Sequence, residues 1–198
     1  VGATFPIGIK LNSADFQQGG FSEDESLAVI QALHDEGIDL VELSGGTYEA
    51  PAMSDQKRHR ASTLAREAYF LEFAEKVRAA VPVPLMVTGG FRSLGGMATA
   101  LSSGAMDLIG LARGLAIEPD LPQRLLAGHE PQYAVRPIST GIKAIDRMAL
   151  MEVVWYSRQL RRMAKGQAPK PNESGLWSFC ANLLHNGVGT WKTRRLRA

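Results

Sequence analysis

Hydrophobic residues along this chain fall into short continuous runs, each closed by a glycine or polar turn, and the runs alternate with stretches of helical periodicity. The densest example is Val83 to Leu115. There, Pro84-Leu85-Met86-Val87-Thr88 stops at Gly89-Gly90, and Met106-Asp107-Leu108-Ile109-Gly110-Leu111 stops at Ala112-Arg113-Gly114. Apolar runs bounded by turn residues suit parallel strands covered on both faces. Two earlier runs have the same character: Phe5–Asn12, and Ile38–Leu43 with Ser44-Gly45-Gly46 after it. Pro6 sits near the start of its run, where a missing N–H is tolerated.

Helices are expected between these runs. Ser22 with Glu25 three positions on is a capping box. Leu27, Ile30 and Leu33 repeat at helical spacing, and Gly37 suits the residue just past the helix end. Arg66–Val81 places Phe70, Phe73, Ala74 and Val77 on one face, and Pro82 and Pro84 stop it. Ser93–Ser103 is a short helix ended by Gly104, and Pro119 opens another that reaches Gly128. The result is β-loop-α four times over, a parallel α/β arrangement. Past Gly128 the pattern changes. Ile145–Lys165 reads as one long helix, Gly166–Pro171 as a linker and Trp177–Leu184 as a last amphipathic helix. The expected division is therefore 1–128 for the βα units and 129–198 for a helical extension with a basic tail.

Composition adds bounds. The chain has 198 residues, 45% of them hydrophobic and 21% charged, ordinary for a globular fold. The net charge of +2 is a property of the tail. Without Lys192, Arg194, Arg195 and Arg197 the remaining Lys and Arg fall two short of the 20 acids, so no nucleic-acid face is expected. That tail is expected to be solvated and mobile. One cysteine, Cys180, allows no internal disulfide, fits a reducing, cytoplasmic setting, and reads as a small buried hydrophobe. No run has the length of a membrane span and no signal-peptide pattern opens the chain. The chain begins at Val1 and enters its first strand almost at once, as expected of a piece of a longer protein.

Candidate chemistry gathers at the ends of the apolar runs. Gly89-Gly90 and Ala112-Arg113 each follow a strand, and parallel α/β folds build their sites at strand carboxyl ends. Glycines let main-chain N–H groups approach an anion, and arginine is a planar donor for phosphate. Each turn alone reads more readily as a plain connection; together they suggest a phosphate site. Lys10 lies inside the first apolar run. It either snorkels to solvent on its stem or meets an anionic partner, because burial of an unpaired ammonium is costly. The loop Thr47–Thr63 is long and charged, the kind of loop that is often functional. Tyr48 and Met53 are its candidates to face a ligand, while Lys57, Arg58, His59 and Arg60 read as a solvated stretch. His34, near a helix end, suits the last carbonyls rather than a metal. The absence of GxGxxG after the first run argues against a dinucleotide-binding fold.

The segments GIKLNSADFQQGGFS, GIDLVELSGG, PLMVTGGFRS and DLIGLARGLAIEPDL, in this order, resemble the carboxyl-terminal half of the old yellow enzyme family, the FMN-dependent NAD(P)H:flavin oxidoreductases. RMALMEVVWYSRQLRRMAKGQAPKP is similar to the helix that closes many members. The resemblance implies a (β/α)8 TIM-barrel type fold of which the last four βα units are present, a half-barrel, plus C-terminal helices. It implies FMN as cofactor, NAD(P)H as electron donor, and hydride transfer through FMN to an activated alkene. Lys10 matches the basic residue near flavin N1 and O2. Gly89 and Gly90 match the seventh-strand turn at the FMN phosphate, and Ala112 and Arg113 match the eighth-strand pair, where many members have Gly-Arg. No metal, membrane or nucleic-acid partner is implied. Half a barrel, with two open edges and an apolar inner face, is expected to pair with the missing amino-terminal half or with a second copy. Two other readings stand beside this one: a phosphate-binding barrel aldolase or isomerase without flavin, and a half-barrel fragment with no catalysis of its own.

Overall fold

The computed structural model describes residues 2, 4–15, 18–45, 70–134, 136–148 and 150–195. Its backbone gathers into two compact units, Val1–Ala112 with Leu125–Pro131, and Arg113–Arg124 with Gln132–Ala198.

In the first unit the four apolar runs become four parallel strands, β1 (Gly8–Asn12), β2 (Leu40–Ser44), β3 (Leu85–Thr88) and β4 (Leu108–Gly110), paired in sequence order. Helices α1 (Glu23–Asp35), α2 (Leu71–Ala80) and α3 (Leu94–Ser102) separate them, giving the expected βα alternation. The capping box forms as read: the Ser22 hydroxyl accepts from the Glu25 N–H, and the Glu25 carboxylate accepts from the Ser22 N–H at 2.8 Å. Ser93 caps α3 by accepting from the Gly96 N–H. The start of the Arg66–Val81 helix, and the loop with Tyr48, Met53, Lys57, Arg58, His59 and Arg60, lie outside the described residues.

Side chains alternate across a strand, so the register decides which residues share a face. Val41, Leu43, Leu85 and Val87 are fully buried and pack with Ile30 of α1, Phe73, Ala74 and Val77 of α2, and Met97 and Ala100 of α3. Burying residues of this size stabilises by roughly 1.5–3 kcal/mol each, so this helix-covered face is where the unit gains most of its stability. The other face carries Lys10, Glu42, Met86 and Leu108 in one cross-strand row. Two residues further along lie Asn12, Ser44, Thr88 and Gly110. This face is polar at its centre, so the expectation of an apolar inner face is corrected. Alternation leaves four polar side chains, Asn12, Ser44, Glu42 and Thr88, beside Lys10 on it. Among the described residues β1 and β4 each pair on one side only.

The amino ends of the strands are pinned by acids. Asp39 accepts from the Ile7 N–H at 2.7 Å, and Asp107 accepts from the Leu85 N–H at 2.8 Å while pairing with Arg78. The Leu85 amide first, and then the Arg78 guanidinium, hold the Asp107 carboxyl below its usual range against the opposing effect of burial. In folds of this type the amino-end face serves stability, leaving the carboxyl ends for chemistry.

The second unit is helical. α4 (Leu121–Leu126) runs across the division between the units; α5 (Lys143–Met148), α6 (Met151–Met163) and α7 (Gly175–Arg195) follow. The single helix expected over Ile145–Lys165 is thus two. Leu150 takes a non-helical conformation at the start of α6. On one side of the break Asp146 is tied to Ser139 and Thr140, and on the other Met151 and Trp155 turn into the core. Hydrophobic spacing alone does not register such a break, because the apolar positions continue through it. The buried Trp155 indole N–H donates to the Glu173 carbonyl at 2.9 Å, and the Ser178 hydroxyl donates to the Glu173 carboxylate at 2.8 Å. α7 extends past the expected Trp177–Leu184, and its backbone is helical through Lys192, Arg194 and Arg195. Cys180 is exposed, not buried as its residue type suggested. It faces away from the side of α7 that holds Ser178 in the core.

Candidate functional site

The candidate site is built on the carboxyl half of the sheet in the first unit. Lys10 stands on the face away from the helices, with its side chain 53% exposed, and donates to the Glu42 carboxylate at 2.7 Å. Both alternatives left by the sequence are therefore present: the ammonium reaches solvent and also meets an anionic partner. The Thr88 hydroxyl donates to the same Glu42 oxygen, also at 2.7 Å. Three neighbouring strands therefore meet in one hydrogen-bonded cluster. β4 completes it by omission: a methyl group on Gly110 would lie 1.7 Å from the Thr88 hydroxyl oxygen. Only glycine leaves Thr88 the room to hold Glu42.

The sequence reading missed Glu42, Thr88 and Gly110. The signal for Glu42 was the one that singled out Lys10, a charge within an apolar strand. What was lacking was the register, since Lys10↔Glu42 pairing is a fact about two strands 32 residues apart. Their pairing also changes the electrostatics. Lys10 is not a lone cation but half of an ion pair, so the field it exerts is offset by a carboxylate beside it.

Beyond the cluster the chain turns. Gly89 and Gly90 follow β3 with φ of 134° and 90°, a region that side-chain-bearing residues avoid. β3 and β4 are parallel, with Thr88 opposite Gly110, so this turn and Ala112 leave the sheet at the same end. Arg113, the next residue, begins the second unit, where its Nη1 lies 3.4 Å from Glu152 Oε2. Loops at the top of β1 are held by a polar network. Asn12 donates to Asp15 at 3.1 Å, the Phe21 N–H donates to the same carboxylate at 3.2 Å, and the Ser26 hydroxyl donates to the Asn12 carbonyl at 2.8 Å. The Ser13 hydroxyl is buried there with no hydrogen-bond partner among the described residues.

This donor set fits a phosphorylated flavin. A cation lies on the open face, and a glycine turn with main-chain N–H groups lies past the strand ends. Among the described residues no group of three or more His, Cys, Asp or Glu could hold a metal ion, and no helix is long and apolar enough to cross a membrane.

Comparison with known proteins gives this chemistry a context. No family model matches the chain. The chain is 37% identical over 183 residues to the NADH-dependent flavin oxidoreductase iccE of Talaromyces variabilis, covering 83% of this chain and 44% of that protein. It is 41% identical over 130 residues to the NADH-dependent flavin oxidoreductase iliE of Neonectria sp. (strain DH2), covering 62% of this chain and 17% of that protein. Among solved structures, a complex of 2-naphthoyl-CoA reductase with 2-naphthoyl-CoA superposes with a TM-score of 0.56 at 22% identity, over 65% of this chain and 19% of that one. That likeness bears on the fold, and it agrees with four βα units of a TIM-barrel type. The chain spans less than half the length of the curated relatives it matches. Over the stretch it shares with them, this chain is a relative of the NADH-dependent flavin oxidoreductases.

Proposed function

We propose that this chain forms the carboxyl-terminal part of an FMN-dependent oxidoreductase of the old yellow enzyme type, which takes hydride from NAD(P)H and delivers it to an activated alkene in the cytoplasm. When bound, FMN supplies the hydride chemistry, which the side chains of this chain cannot perform. The chain's own residues bind and tune. Gly89 and Gly90 offer main-chain donors to the phosphate, with the Ala112 N–H at the same strand end, and the family resemblance adds the Arg113 guanidinium. Lys10 holds its ammonium where negative charge develops on reduction, and Glu42, fixed by Thr88, sets where that ammonium stands. The remaining strands of the site come from the rest of the barrel or a second copy, through the sides of β1 and β4 that pair with no strand among the described residues.

The observation that carries this reading is the turn at Gly89-Gly90. Its positive φ values and its shared strand end with Ala112 suit an anion-binding turn in a relative of flavin oxidoreductases. The test is the flavin content of a protein in which this chain replaces the matching segment of the Talaromyces variabilis relative. Bound FMN that is lost on Gly90→Val supports the reading. Phosphate binding without flavin absorbance would favour an aldolase- or isomerase-like barrel instead.

A further inference from the structure

In the second unit, Arg158, Arg161, Arg162 and Lys165 fall at i, i+3, i+4 and i+7 along α6 and the turn after it, a spacing that stacks side chains on one helix face. With Gln167, and with Ala181 and His185 of α7, they line a cavity of about 100 Å³. Among the described residues no carboxylate lines it.

Ordinary structural causes account for part of this charge. Cations near a helix carboxyl end complement its dipole, and Arg158 is paired with Glu173. The other two arginines are held differently. Arg161 donates to the Asn182 amide oxygen at 2.9 Å, and Arg162 donates to the Ala168 carbonyl at 3.0 Å. Both acceptors are neutral, so these hydrogen bonds fix the guanidinium groups without cancelling their charge, although Arg162 also feels the Glu173 carboxylate. Among the described residues the Lys165 ammonium has no hydrogen-bond partner. Like charges at i, i+3 and i+4 repel, and a helix end needs no cavity to benefit from its cations. Four cations against one carboxylate around a cavity, two of them held by neutral acceptors, are what an anion site requires.

We propose that this cavity binds the phosphate group of a small anion. At about 100 Å³ and open to solvent, it has room for a phosphoryl group whose attached part lies in solvent. Arginine forks present paired donors to phosphate oxygens, and Lys165 adds a mobile point charge. The inference is independent of the flavin reading, because every residue it uses lies in the second unit.

The test is calorimetric titration of the full chain with orthophosphate, and separately with AMP, at an ionic strength held constant with chloride. Orthophosphate should bind saturably. Arg161→Gln with Lys165→Gln should weaken it at least tenfold. Lys165→Gln alone, which removes no hydrogen bond seen here, should weaken it at least threefold with an unchanged far-UV circular dichroism spectrum. Lys165→Arg should retain it, and Arg113→Gln should leave it within twofold, separating this site from the candidate flavin-phosphate turns. Tighter binding of AMP assigns a phosphate ester as the ligand; equal affinities assign the free ion. Heats that never saturate, or an affinity unchanged in both Gln variants, would overturn the proposal. So would binding confined to an RNA oligomer or to anionic vesicles, which would make this face a polyanion surface.

Discussion

Gly110→Ala is the sharpest probe of the cluster around Lys10, because the structure fixes both the clash and its consequence. The added carbon would meet Thr88 Oγ1 at 1.7 Å, its Cβ at 2.8 Å and its Cα at 3.1 Å. Rotation of the Thr88 side chain relieves only the first contact. The other two lie at or next to the backbone, so β3 and β4 must also separate by a few tenths of an ångström. Overpacking of this kind costs about 1–3 kcal/mol. Rotation also breaks the 2.7 Å bond from Thr88 to Glu42, and a hydrogen bond to a charged acceptor is worth roughly 1.5–3 kcal/mol. Glu42 is partly solvated and, among the described residues, β4 is an edge strand that can yield, so the lower half of the combined range applies, about 2.5–4 kcal/mol. Urea unfolding of the full chain reads this as a lower midpoint at unchanged m-value. Thr88→Ala removes the hydroxyl that clashes, so the double variant should be less destabilised than the sum of the singles, with a coupling of about 0.5–3 kcal/mol. A Gly110→Ala variant within 0.5 kcal/mol of wild type (roughly the scatter of a neutral surface change), or strict additivity with Thr88→Ala, would refute the argument.

Other consequences can be checked in the same protein or in the chimera with its relative. The Asp107 carboxyl is depressed in the folded state, so its contribution is present above the unfolded pKa of about 3.9 and is lost as pH falls through the lower folded value. Asp107→Asn should cost about 1 kcal/mol at neutral pH, given its half-exposed side chain. It should also flatten the acid limb of the stability curve; an unchanged limb would remove Asp107 from the account. Lys10→Met should lower the flavin reduction potential, the more so because it leaves the Glu42 carboxylate uncompensated, and Glu42→Gln should raise it. A potential unmoved by either change, with FMN fully bound, would leave the ion pair as structure only. Arg113→Ala should weaken FMN binding about tenfold or more, the equivalent of one charged hydrogen bond, while Arg195→Ala should not; equal affinities would count against the phosphate assignment.

The four strands and the capping box of α1 were legible because each is written locally, in an apolar run with its turn or in Ser22 and Glu25 three residues apart. Gly89-Gly90 was legible for the same reason. Glu42 and Thr88 were not, because their roles depend on register between strands far apart in sequence, and the pattern of one strand does not contain its neighbour's offset. The need for glycine at position 110 is likewise set by a side chain 22 residues earlier. Cys180 misled because residue type predicts burial only on average, and its place on α7 is decided by Ser178 and Trp155 packing elsewhere. The break before Met151 escaped because tertiary anchoring of Asp146 and Trp155, rather than local propensity, ends α5 and starts α6. The basic residues of α6 and of the turn after it were present in the sequence at helical spacing; that Ala181 and His185 of α7 line a cavity with them depends on how the two helices pack.

The central claim is that the carboxyl ends of these strands hold a flavin phosphate. Its most direct test is to place this chain in the matching segment of the Talaromyces variabilis relative and titrate the purified protein with FMN, following flavin fluorescence. The account predicts one FMN bound per chain, with affinity reduced at least tenfold by Gly90→Val or Arg113→Ala in a protein that remains folded. A folded chimera that takes up no FMN while the unaltered relative does, or one that binds it equally well with both substitutions, would contradict it.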